Sequence, residues 1–128
     1  MDDGNRTADS HALYLRGVEL FNRGEFFDAH EVWEELWRDC PGADRRFYQA
    51  LIQAAVAAHH WGRGNAAGAK RLYHSGRKYM EPFRPVHQGL VVDNFWDGLA
   101  AHLAGALGEP NAPPAPPPQI VIEPSRPL

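Results

Sequence analysis

Apolar residues recur along this chain at helical spacing, and the rhythm is broken at Gly24, at Pro41-Gly42, at Gly62-Arg63-Gly64 and at Pro82, which predicts five helices. A first helix is expected from an N-cap at Ser10 to about Arg23, with Leu13, Val18, Leu20 and Phe21 among its apolar positions and Gly24 ending it. The second runs from Phe26 to about Asp39. Phe26, Trp33 and Trp37 form its apolar stripe, with Ala29 and Leu36 on the flank. Asp44 is the expected cap of a third helix, Arg45 to about Trp61, whose middle (Ala54, Ala55, Ala57, Ala58) permits neighbours to approach closely and marks it as central. Asn65 caps a fourth helix that ends near Met80, before Pro82 and Pro85. A loop to Val92, with room for a short extended piece, leads to a fifth helix capped by Asp93, Asn94 to about Leu107, in which Phe95, Leu99, Leu103 and Leu107 repeat every fourth residue.

Shifting the chain by 40 positions aligns Arg23-Gly24 with Arg63-Gly64, Phe21 with Trp61, Ala29 with Ala69, Val32 with Leu72, Trp33 with Tyr73 and Arg38 with Lys78. Each copy is a helix, an Arg-Gly turn and a second helix. This predicts an all-α fold of two stacked antiparallel hairpins, packed in the manner of tetratricopeptide repeats, plus a C-terminal helix. The expected organisation is a disordered stretch over 1–9, a helical domain over 10–107 and a Pro-rich tail over 108–128. Pro113, Pro114, Pro116, Pro117 and Pro118 require the tail to be extended, and Ile120, Val121 and Ile122 are the residues that can dock it.

A chain of 128 residues with a formal net charge of -3 reads as one domain and argues against a dedicated nucleic-acid binder, whose affinity comes from clustered cations. One cysteine, Cys40, excludes an internal disulfide and a thiolate zinc knuckle. The polar N-terminus lacks a signal-peptide core, and no apolar run approaches the ~20 residues of a membrane span. The expectation is a soluble, cytoplasmic protein.

Candidate chemistry centres on helix two. His30 falls on the apolar stripe, Glu34 follows one turn later, and Glu31 and Glu35 face away. A buried imidazole needs a partner, so His30 and Glu34 are expected to pair, either to fix helix register or to form part of a site. An antiparallel helix three adds Gln49, Gln53, His59 and His60, of which His59 and His60 come nearest the level of His30. On helix three Arg46, Gln49, Gln53, Ala57 and His60 share a polar strip, read as a solvent face or a groove wall. Helix four carries a basic stripe, Lys70, Arg71, His74, Arg77 and Lys78. No nucleophile elbow or Gly-rich phosphate loop is present, so no catalytic residue is assigned.

The series Phe21-x-x-Gly24-x-Phe26-Phe27-Asp28-Ala29-His30-Glu31-x-x-Glu34-x-x-Trp37-Arg38, then Gln49-Ala50-Leu51-Ile52-Gln53, Ala57-Ala58-His59-His60 and Gly64-Asn65-x-x-Gly68-Ala69, resembles the small bacterial and archaeal family named domain of unknown function 309. The resemblance runs from about Leu13 to Leu107. It implies a compact helical fold, no established activity, and motif positions at His30, Glu31, Glu34, Trp37, Gln49 and His59. The functional expectation is a non-enzymatic binding or scaffold module for a protein or small-molecule partner. Its candidate binding residues are His30, Glu31, Glu34, Trp37, Gln49, Gln53 and His59, in a polar groove between helices two and three. The alternative is a metal-dependent hydrolase in which His30, Glu34 and His59 hold a divalent ion and Glu31 is the general base. No cofactor is otherwise implied.

Overall fold

The computed structural model describes residues 3–124. Its elements are α1 (Asp3–Asn22), α2 (Phe26–Arg38), α3 (Asp44–Gly62), α4 (Ala66–Met80), a 3-10 turn (Glu81–Phe83), the hairpin strands β1 (Val86–His87) and β2 (Leu90–Val91), and α5 (Val92–His102). The all-α expectation holds. The sheet is two short strands, paired Val86 with Val91 and His87 with Leu90. α1 begins at Asp3, ahead of the expected cap Ser10, while Met1 and Asp2 lie outside the described residues.

α3 packs against α2 on one side and α4 on the other, and α2 packs in turn against α1. It is the central helix because Ala50, Ala54, Ala55, Ala57 and Ala58 are buried and carry no bulk to hold the neighbours apart. Trp33 and Trp96 are wholly buried, Trp33 beside Phe21 and Trp96 between Tyr73 and Phe95. Each such side chain withdrawn from water contributes on the order of 2–3 kcal/mol.

The internal repeat is visible in backbone geometry. Gly24 and Gly64 both adopt φ of 80°, a left-handed conformation that costs glycine nothing. Each sits in the same end-of-helix motif: Glu25 N–H donates to the Leu20 carbonyl at 2.9 Å and Asn65 N–H to the His60 carbonyl at 2.8 Å, 40 residues later. At Asn65 the expected cap forms, its side-chain oxygen accepting from Gly68 N–H at 2.9 Å.

The other two expected acidic caps serve the hairpin region instead. Asp44 lies inside α3, and its carboxylate accepts from His87 Nε2 at 2.9 Å and from Gln88 Nε2 at 3.2 Å. Gln88 Nε2 also reaches the Tyr48 hydroxyl at 2.9 Å, and the Tyr14 hydroxyl donates to the Gln88 carbonyl at 3.0 Å. Asp93 is likewise within α5, where it accepts two bonds from Arg84, at 2.7 and 2.8 Å. Side-chain donors from the hairpin region take each carboxylate in place of the local amide, and the Arg84–Asp93 contact is charge-assisted as well. α5 stops at His102, short of Leu107, and the chain closes with a turn in which Glu109 N–H donates to the Ala104 carbonyl at 2.9 Å. Among the described residues no helix is long and apolar enough to cross a membrane.

Candidate functional site

α2 and α3 run antiparallel, so the start of α2 meets the end of α3. There Phe27 stands half in solvent, 50% exposed, between two imidazoles: its ring centroid is 4.9 Å from His30 and 5.3 Å from His59. His60 follows, its ring 6.2 Å from His59. An exposed phenyl flanked by two rings that bear hydrogen-bonding nitrogens combines apolar area with directional contacts.

The tautomers follow from the partners. His30 Nδ1 lies 2.7 Å from the Phe27 carbonyl oxygen, which can only accept, so Nδ1 carries the proton. In the neutral ring Nε2 then holds a lone pair. Glu34 Oε2 is 3.7 Å from that nitrogen, beyond hydrogen-bonding range, and the Glu34 side chain is 43% exposed and also turns toward Arg38 at 3.6 Å. The expected His30–Glu34 hydrogen bond is therefore replaced by one to the backbone, and Glu34 is a loose neighbour. His60 is fixed the other way. Asn65 has its oxygen on Gly68 N–H, so its amide nitrogen donates, at 3.3 Å, to His60 Nδ1. Burial, then the charges of Arg63, His60 and His30, hold the His59 imidazole below the ordinary histidine range and favour its neutral form.

The remaining sequence candidates lie elsewhere. Glu31 is exposed, with no ion pair among the described residues. Trp37 sits two turns beyond His30, about 10 Å along the helix axis. Arg45 lies over its ring at 4.1 Å, and its buried Nε1 has no hydrogen-bond partner. Gln49 is half-buried on α3. Gln53 faces α4 and not α2: a methyl group at Gly76 of α4 would fall 3.2 Å from its Cβ and 2.7 Å from the Trp96 ring. The Gln53 oxygen is buried without a partner. Arg46 lies over Tyr79 of α4 at 5.7 Å, and His60 meets Asn65 at the start of α4, so the polar strip of α3 is its seam with α4. The groove of seven residues thus divides: His30, Glu34 and His59 share one end of the α2–α3 seam, Glu31 is exposed on α2, Trp37 lies two turns away and Gln53 faces α4.

Among the described residues no group of three or more His, Cys, Asp or Glu side chains converges as a metal ion requires, so His30, Glu34 and His59 are not assembled as a ligand set. A broad hollow of about 890 Å³ lies between α1 and the later half of α2, lined by Asp9, Leu13, Glu35, Leu36 and Asp39. It is open to solvent and holds no histidine. Phe27 is the residue that sequence reasoning passed over. Its signal was available, because it lies one position off the stripe of Phe26 and three before His30, which places it on the rim beside the imidazole.

Residues 14–72, from α1 into the first half of α4, match the family described as Domain of unknown function (DUF309). The match stops short of the Leu107 expected from the motifs. Two relatives are similar over part of the chain. The uncharacterized protein YpuF of Bacillus subtilis (strain 168) is 35% identical over 78 residues, covering 60% of this chain and 45% of that protein. An uncharacterized protein of Aquifex aeolicus (strain VF5) is 39% identical over 46 residues, covering 35% of this chain and 14% of its own length. The chain thus aligns with less than half of either relative.

Proposed function

We propose that this protein is a non-enzymatic binding module whose contact face is the open end of the α2–α3 seam, formed by Phe27, His30 and His59 with Glu31 and Glu34 at its edge. The observation that supports it most is the half-exposed phenyl between two imidazoles, since burying Phe27 against a partner would remove apolar area from water. His30 Nε2, its lone pair free in the neutral ring, fits a hydrogen-bond donor on that partner, such as an amide or hydroxyl of a protein or small molecule. The divalent-ion alternative has no observation in its favour, because its three ligands do not converge.

A photoreactive phenylalanine analogue placed at Phe27, and separately at Lys78 on the outer face of α4, tests the reading in cells. The expected result is a discrete crosslinked product from position 27 that disappears when His59→Ala is added, with none from position 78. Equal crosslinking from both positions, or none from position 27, contradicts it.

A further inference from the structure

The Pro-rich tail is held by its main chain. Asn22, the last residue of α1, donates from Nδ2 to the Ile120 carbonyl at 2.9 Å and accepts the Ile120 N–H on Oδ1 at 2.7 Å. One side-chain amide thus offers a donor and an acceptor in the way a neighbouring β-strand does. Glu123 N–H donates to the Gly89 carbonyl in the hairpin at 2.9 Å, and His102 Nδ1 donates to the Ala115 carbonyl at 2.8 Å. Gln119 Nε2, donating to the Asn22 carbonyl at 3.1 Å, is the one tail side chain in this set of bonds.

Side chains enter at one deep point. Ile120 is 4% exposed and joins the hydrophobic core, whereas Val121 points outward at 75% exposed, the alternation of an extended strand. Ile122 passes so close to Gly89 that a Cβ there would lie 2.5 Å from its Cγ2, which makes the bare glycine the lip of the cleft. An open volume of about 250 Å³ remains beside the tail, against Leu90, Val91, Asn94 and Phe95. Main-chain bonds and one aliphatic anchor are indifferent to most of the bound sequence, and the prolines before Gln119 pre-extend it and so lower the entropy lost on docking.

We propose that the cleft between the end of α1, the hairpin and α5 is a binding site for an extended peptide, that the chain's own tail is its resident occupant, and that it accepts from a partner protein a segment with an aliphatic anchor preceded by proline. The site is separate from the Phe27 face and does not depend on it.

The test uses full-length protein and a fluorescent peptide, Pro-Pro-Pro-Gln-Ile-Val-Ile-Glu, copied from residues 116–123. Ile120→Asp displaces the tail's anchor and empties the cleft. Fluorescence anisotropy is expected to show at least tenfold tighter binding to Ile120→Asp than to the parent, whose tail competes, and loss of binding when Asp replaces the first of the peptide's two isoleucines, the counterpart of Ile120. A helical Ile120→Asp protein that ignores the peptide, or binds both peptides equally, overturns the proposal. If that variant does not fold, a protease site inserted between Gly108 and Asn111 gives a second reading. After cleavage the tail fragment should co-elute with the body and dissociate on dilution, whereas immediate loss from an intact body overturns trans binding. A dimer built by mutual tail exchange would assign the cleft to a second copy of this chain and overturn it too.

Discussion

His30 gives its Nδ1 proton to the Phe27 carbonyl, one turn behind it at 2.7 Å, while Glu34, one turn ahead, stays 3.7 Å from its other nitrogen. The two side chains are therefore nearly independent. Glu34→Ala should change stability by no more than about 0.5 kcal/mol, the scale of an exposed pair. His30→Ala should cost about 1 kcal/mol for a lost hydrogen bond and some packing. Urea denaturation of both single variants and the double variant checks this. A coupling energy above about 1 kcal/mol would show that the pair is a true register lock.

Gly17 of α1 lies against the Trp33 indole so closely that a Cβ built on it would fall 2.0 Å from Nε1, the nitrogen that donates to the Tyr14 carbonyl at 3.1 Å. Even the smallest side chain must push the helices apart or turn the indole off its acceptor. Gly17→Ala is expected to destabilise by about 2 kcal/mol or more, despite alanine's better helix propensity. For a domain of this size that lowers the melting temperature by on the order of 5–10 °C. An unchanged melting temperature would mean that α1 and α2 are not packed at this point.

Periodicity was enough to find α2, α3 and α4, because each has a strong apolar stripe and a breaker at its end. The repeat offset located both Arg-Gly turns, since the residues that create a left-handed turn are local in sequence. What periodicity cannot supply is the identity of the neighbour that covers a face. Gln53 of α3 is expected in a groove with α2 but lies against Gly76 of α4, because a stripe on α3 looks the same whichever helix meets it. Asp44 and Asp93 read as caps by their position, yet their partners, His87, Gln88 and Arg84, come from the hairpin region and are visible only once the chain has folded back. Ile120 is legible as a docking residue of the tail from its apolar side chain, but its partner Asn22 lies 98 positions away and no local pattern records it.

Cys40 lies near Asp44, and burial followed by that negative charge pushes its thiol above the ordinary range. The thiolate is the reactive form, so the residue should be sluggish toward alkylation. Iodoacetamide at pH 7.5 is expected to label the folded protein several-fold more slowly than free cysteine, and at a normal rate in denaturant. Labelling faster than free cysteine would contradict the placement of Cys40.

Folding depresses the His59 imidazole through burial and through Arg63, His60 and His30. The unfolded chain therefore binds this proton more readily than the native one. The contribution of His59 is fully present above the unfolded value of about 6.5 and is lost as pH falls through the lower folded value. Stability should decline as pH is taken from 7 toward 5, and His59→Gln, which cannot take up the proton, should flatten that decline. An identical pH profile in the variant would remove His59 from the cluster.

The most direct measurement of the binding-face reading is a ¹⁵N-resolved NMR titration of the full chain with a small library of planar amides, phenols and hydroxyl-bearing fragments. The amides of residues 26–34 and 56–63, around Phe27, His30 and His59, are expected to shift together, and Phe27→Ala is expected to abolish the response. Shifts confined to the Asp9–Glu35 hollow, to α4 or to the tail cleft, with the Phe27 region silent, would contradict it.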